Sequence, residues 1–160
     1  WFYQLMLKNA SVDIGYFGLV QSGLVLSQVF LMNNFCRMEK IFGSKKNLIF
    51  FSAVITGIMF IIGGLTTFLP IVLMVIFVGG GFGLSRNVLF TNYFNKHISS
   101  SKRATVLSTI SMLRRLSIAV LNPFVGMLAD WSFPTTLVLI GVIALASTLF
   151  SRVEEDMLID

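Results

Sequence analysis

NLIFFSAVITGIMFIIGGLTTFLPIVLMVIFVGGGFGLS, residues 47–85, runs thirty-nine residues without one Asp, Glu, Lys, Arg or His. As a single helix it would be about 58 Å long at 1.5 Å per residue, roughly twice the hydrocarbon core of a bilayer. Gly63, Gly64, Thr66, Thr67 and Pro70 interrupt it near the middle. The pattern predicts two membrane crossings joined by a very short loop, and therefore an integral membrane protein.

The rest of the chain agrees. Hydrophobic residues make up 56% of it and charged residues 12%, against roughly 25% charged in a soluble domain. The chain opens on Trp1 with no initiator Met and no basic leader, which predicts a fragment of a longer protein without a signal peptide. The single cysteine, Cys36, allows no internal disulfide. A net charge of +5 raises the question of nucleic acid. The bases fall in short loops between apolar runs, so topology accounts for them and no nucleic-acid partner is expected.

Five segments are long enough to cross: about 14–36, 47–69, 70–94, 104–129 and 131–151, with 152–160 as a tail. No period-2 strands and no flexible linker intervene, so the expected fold is one all-α, multi-span helical bundle. Arg37, Lys40, Lys45 and Lys46 follow the first span, Lys96, Lys102 and Arg103 the third, and Arg152 the fifth. The alternate loops hold no base, and the opening loop only Lys8. By the positive-inside rule the basic side is cytoplasmic and so is the carboxy terminus.

Polar residues separate the spans into two kinds. The second and fifth have no Asn, Gln or charge in their apolar portions. The first carries Gln21 and Gln28, the third Arg86, Asn87 and Asn92, and the fourth Arg114, Arg115 and Asn122. Unpartnered polar groups facing lipid are costly, so these three helices should turn a face to protein or to a water-filled cavity. Gln21 and Gln28 are seven apart and share a face. Gly79, Gly83, Asn87 and Thr91 advance in steps of four, and the Gly79–Gly83 pair permits close helix approach. Ser108, Ser111, Arg115, Ala119, Asn122 and Gly126 form a third stripe. Arg115 is thus assigned to the bundle interior and Arg114, about 100° away, to its edge, where it can snorkel. The polar groups serve either as contacts for a solute or as interhelical hydrogen-bond partners. Arg115 marks either an anion or proton path or a segment at headgroup depth. For Arg86, eight residues from the end of its span, snorkelling or a structural pair is favoured.

Several chemistries lack their residues. No span contains an acid, and the only histidine, His97, is in a loop, so metal-dependent hydrolysis has no ligand set. No serine has an evident base at membrane depth. The glycines of residues 79–83 are followed by no Gly-Lys-Ser/Thr and so form no phosphate loop. No enzyme, metal or cofactor is expected.

The stretch NKHISSSKRATVLSTISMLRRLSIAVLNPFVGMLAD, residues 95–130, resembles a loop and the eleventh helix of the major facilitator superfamily, most clearly at RATVLS and GMLAD. RMEKIFGSKKNL, residues 37–48, is similar to the second-half copy of that family's basic loop, with Glu39 one place early and the upstream glycine missing. The resemblance covers nearly the whole chain. It implies half of a twelve-helix fold, helices eight to twelve with residues 1–10 finishing the seventh, and a missing amino-terminal half. Substrate would bind between the halves near midplane, with alternating access. The family's seventh, eighth, tenth and eleventh helices line the cavity and its ninth and twelfth are peripheral, the division already drawn from polarity.

These lines predict a secondary transporter of a small solute in the plasma (inner) membrane, possible coupling to a proton included. The alternative is a non-transporting membrane receptor or assembly subunit. The expected solute contacts are Gln21, Gln28, Asn87, Arg115 and Asn122. Arg37, Glu39, Lys40, Lys45, Lys46, Lys102 and Arg103 would set topology and close a cytoplasmic gate. Gly79 and Gly83 would pack helices.

Overall fold

The computed structural model describes residues 2–98 and 100–150, with no strand among them. In order they form α1 (Phe2–Asn9), a 3-10 turn (Ile14–Tyr16), α2 (Phe17–Asn33), α3 (Phe35–Phe42), α4 (Lys45–Leu65), α5 (Leu69–Met74), a π-helical turn (Val75–Gly80), α6 (Gly81–His97) and α7 (Ser100–Phe150). Four stretches are long and apolar enough to cross a membrane: Ile14–Asn33, Lys45–Leu65, Leu69–Thr91 and Lys102–Phe150. The tail 152–160, with Arg152, lies outside the described residues, as do the side chains of Asn92, Lys96 and His97.

The helix ends have local causes. Ser11 adopts φ 58°, and the amides of Ser11 and Val12 donate to the Lys8 and Leu7 carbonyls at 3.0 Å, closing α1 in a left-handed turn. Asp13 then accepts from the Gly15 amide at 2.7 Å and caps the entry to α2. Gly43, at φ 81°, ends α3. Ser44 begins α4, its hydroxyl accepting from the Asn47 amide at 3.1 Å, and the Asn47 side chain donates to the Phe42 carbonyl. A two-residue turn therefore ties α3 onto α4, and the Phe42 and Phe51 rings meet at 5.0 Å.

Thr66, Thr67 and Phe68 separate α4 from α5, with Pro70 in the first turn of α5. Gly63 and Gly64 do not break the helix as the sequence suggested. They are notches inside it. A Cβ on Gly63 would stand 2.6 Å from the Met6 methyl, and one on Gly64 would stand 2.5 Å from the Pro134 carbonyl oxygen. The missing side chains let α1 and α7 close on α4, the use of small residues expected where helices pack in lipid.

α4 is the centre of the packing. Gly57 of α4 lies against Gly141 and Leu145 of α7. On another side Thr56 and Met59 face Gly79. α2 meets the π turn and α6 through Gly23 against Phe77, Leu24 against Gly80, and Ser27 and Leu31 against Gly81. Met6, Leu7, Val20, Leu24, Val72, Val75, Ile76 and Leu137 form the buried apolar cluster. Phe2 joins it by stacking on Phe133 at 6.1 Å.

α7 joins the two segments expected at 104–129 and 131–151. The only interruption is Ser132, in extended backbone at φ −159°, ψ 101°. Its hydroxyl pairs with that of Thr135 at 2.8 Å, and Pro134 lies in the next helical turn. A serine that caps the second of the two segments needs no further loop residues, which is why the anticipated loop at 130–133 is so short. After Ser132 the chain runs back along α4, from Pro134 beside Gly64 to Thr148 on the same cavity as Lys46.

Candidate functional site

The bundle has two unlike ends. α6 runs antiparallel to α4, from Gly83 beside Thr56 to Arg86 and Phe90 on the cavity of Lys46 and Phe50. The turn after α6, which leads to Lys102 and Arg103, therefore lies at the end where α3 and the start of α4 carry Arg37, Lys40, Lys45 and Lys46. Arg37, Lys40, Lys46, Lys102 and Arg103 are exposed, while Glu39 and Lys45 are half-buried. Arg103 donates to the Ile98 carbonyl at 3.3 Å, a main-chain tie rather than an ion pair. The opposite end carries Asp13, which lines a cleft with Tyr16, Leu69 and Leu73.

Gln21 and Gln28 are half-buried on α2. Val20, Leu24 and Ser27 face the rest of the bundle, so each glutamine sits about 100° around from a packed neighbour. Among the described residues neither amide has a hydrogen-bond partner. Asn87 is exposed on α6, one residue beyond Arg86, and its side chain is likewise unpaired among the described residues. Gly79 faces Met59 at a built Cβ distance of 2.7 Å, whereas Gly83 faces Thr56 at 3.7 Å. The small-residue part of this stripe therefore turns toward α4, not toward α2.

Arg115 and Asn122 lie in a part of α7 whose side chains, from Met112 to Phe124, are exposed on every side. The expected contrast between an interior Arg115 and an edge Arg114 is not found: both are exposed. The reason is physical, since spacing can define a polar face but a second surface is needed to bury it. The described residues bring Gln21, Gln28, Asn87, Arg115 and Asn122 into no common pocket.

Among the described residues, two of the bundle's cavities bear on function. One of about 230 Å³ has apolar walls from Tyr3, Met6, Leu24, Met59 and Val75. The other, about 520 Å³, lies at the base-rich end between α4, α6 and the last turns of α7. Arg86 reaches into it and is half-buried; its Nε is shut off from the outside and has no hydrogen-bond partner. Composition and spacing singled out Arg86 but not this cavity, because its walls come from helices about forty and sixty residues away. Among the described residues no three of His, Cys, Asp and Glu come together to hold a metal ion.

A family model described as Major Facilitator Superfamily matches residues 2–156. Nothing matches the chain among curated proteins or among solved structures.

Proposed function

The chain belongs to the major facilitator superfamily, and from that premise we propose that it is the carboxy-terminal half of a secondary transporter moving a small solute by alternating access. Membership makes it a multi-pass membrane transporter protein. The finer reading rests on one observation: polar side chains on membrane-spanning helices are left open at the bundle's flanks. Gln21, Gln28, Asn87, Arg115 and Asn122 have polar groups that lipid cannot satisfy. A second, amino-terminal half facing α2 and the first part of α7 would cover them and enclose a wet path between the two halves.

In this account α7 makes two crossings, divided at Ser132. Its apolar stretch Lys102–Phe150, 49 residues long, would extend about 74 Å as one straight helix, more than twice a hydrocarbon core of roughly 30 Å. Five crossings put the base-rich end on the cytoplasmic face of the plasma membrane, with the carboxy terminus on the same side. Gln21, Gln28, Asn87 and Asn122 offer hydrogen bonds to a polar solute. Arg115 offers a fixed positive charge to an anionic group, or answers a coupled proton held by the other half. Arg37, Glu39, Lys40, Lys45, Lys46, Lys102 and Arg103 border the cytoplasmic gate.

The test is solute flux by the full-length protein in liposomes. Arg115→Ala should abolish uptake while the protein still inserts and purifies as a single species. Unchanged uptake kinetics would remove Arg115 from the path. A purified wild-type protein that moves no solute at all would favour the receptor or assembly-subunit reading.

A further inference from the structure

We propose that the cavity between α4, α6 and the end of α7 holds an anionic phospholipid, its phosphate between Arg86 and Lys46 and an acyl chain against Phe50 and Ala53. This site is distinct from the proposed solute contacts, because none of Gln21, Gln28, Asn87, Arg115 and Asn122 lines it, and it shares only Lys46 with the bases bordering the gate.

Three observations converge on that ligand. The first is charge. Two bases from different helices line the cavity, and among the described residues no acid does. The Arg86 guanidinium is half-buried, with its Nε enclosed and unpartnered, and its remaining donors favour an oxygen-rich anion that can accept from the fork. The second is the wall. Ile49, Phe50, Ala53, Phe90 and Ala144 give the remaining lining an apolar character that a soluble anion would not use. Phe50 and Phe90 are 39% and 38% exposed, so the cavity opens sideways from spanning helices toward the lipid. The third is depth. Lys46 is in the first turn of α4, and Thr148, on the opposite wall, is two residues from the end of α7, which sets the polar part of the cavity at headgroup level. Basic pockets between helices at such a level bind anionic headgroups. A volume of about 520 Å³ falls within the 300–1,000 Å³ typical of ligand sites.

The positions follow from helical geometry. Lys46, Phe50 and Ala53 recur at four and three residues along one face of α4, Arg86 and Phe90 at four along α6, and Ala144 and Thr148 at four along α7. On α4 and α7 the stripe is polar toward the base-rich end and apolar toward the middle, whereas on α6 Arg86 lies one turn deeper than Phe90. A phospholipid has the same polarity along its length as the α4 and α7 stripes.

The experiment reconstitutes the full-length protein in equal parts phosphatidylcholine and phosphatidylglycerol, extracts it in mild detergent, and counts retained lipid by native mass spectrometry. Phosphatidylglycerol should be retained in preference to phosphatidylcholine. Lys46→Gln, at an exposed side chain that the fold does not need, should weaken retention about fivefold, the effect of one base near a headgroup. Arg86→Gln should weaken it at least as much, and Lys8→Gln, at the far end of the bundle, should leave it unchanged. Equal retention of the two lipids, or wild-type retention in Lys46→Gln, would overturn the proposal. So would inorganic phosphate protecting the protein from heat as well as the lipid does, which would make this a soluble-anion site. Binding seen only after residues 154–160 are deleted would mean that the acidic tail occupies the cavity, and would overturn it too. Retained lipid is read without any flux, so a failed transport assay leaves this result standing.

Discussion

The hydroxyl of Ser27 on α2 is shared between the Leu24 carbonyl of its own helix at 2.8 Å and the main-chain carbonyl of Phe77 at 3.0 Å, the second crossing from one spanning helix into the π-helical turn of the next. The wider turn at Val75–Gly80 disturbs the regular ladder of carbonyls, and in lipid such carbonyls need partners from neighbouring helices. Thr56 of α4 reaches the Gly79 carbonyl from another side, at 3.4 Å. The irregular turn thus lies between α2 and α4 against two hydroxyls, each of which also bonds a carbonyl of its own helix at 2.8 Å.

Ser27→Ala should lower the unfolding free energy by about 0.5–1.5 kcal/mol, the usual net worth of such a bond. Thr56→Ser keeps the hydroxyl and should lose less. Thermal unfolding in detergent reads both, and a Ser27→Ala protein as stable as wild type would remove the bond from the account.

Gly79 and Gly83 should not behave alike. Alanine at Gly79 drives a Cβ to 2.7 Å from the Met59 Cβ, an atom next to the backbone that cannot swing aside. It should cost about 1–3 kcal/mol, less what alanine returns in helix propensity. At Gly83 the nearest neighbour is the Thr56 methyl at 3.7 Å, so alanine should be neutral or stabilise by up to about 1 kcal/mol. Equal effects on the unfolding temperature would mean that the pair does not face α4 as described.

Gly141→Val tests the seam between α4 and α7. Even a single Cβ there would stand 2.6 Å from the Gly57 carbonyl oxygen and from the Ile61 side chain. Valine should destabilise the protein by at least as much as Gly79→Ala, and intramolecular thiol crosslinking between positions 53 and 144 should fall with it. Undiminished crosslinking would place α7 elsewhere.

Much of this architecture is legible in the chain because charge punctuates it. Arg37, Lys45 and Lys102 mark where spans begin and end, and Thr66 with Pro70 marks the turn between α4 and α5. Gly63 and Gly64 were misleading because a glycine that breaks a helix and a glycine that admits a neighbour look alike until the neighbour is known, and here the neighbours, Met6 and Pro134, are about sixty to seventy residues away in opposite directions. The π turn left only the run Gly79-Gly80-Gly81 as a trace. At the candidate site, the shared face of Gln21 and Gln28 followed from a seven-residue spacing. That Arg114 and Arg115 are both exposed did not, since spacing defines a face and burial needs a second surface against it. The Arg86 cavity needed three helices to meet, and no local pattern announces that.

The claim on which the rest depends is that the base-rich ends of all these helices lie on one face of the membrane. Single cysteines at Lys40, Lys102, Thr67 and Asp130, in a Cys36→Ser background, can be treated with a membrane-impermeant thiol reagent in intact cells and again after the membrane is opened. Positions 67 and 130 should react from outside, whereas 40 and 102 should react only once the inner face is exposed. Reaction of 40 and 102 from opposite faces would contradict that claim.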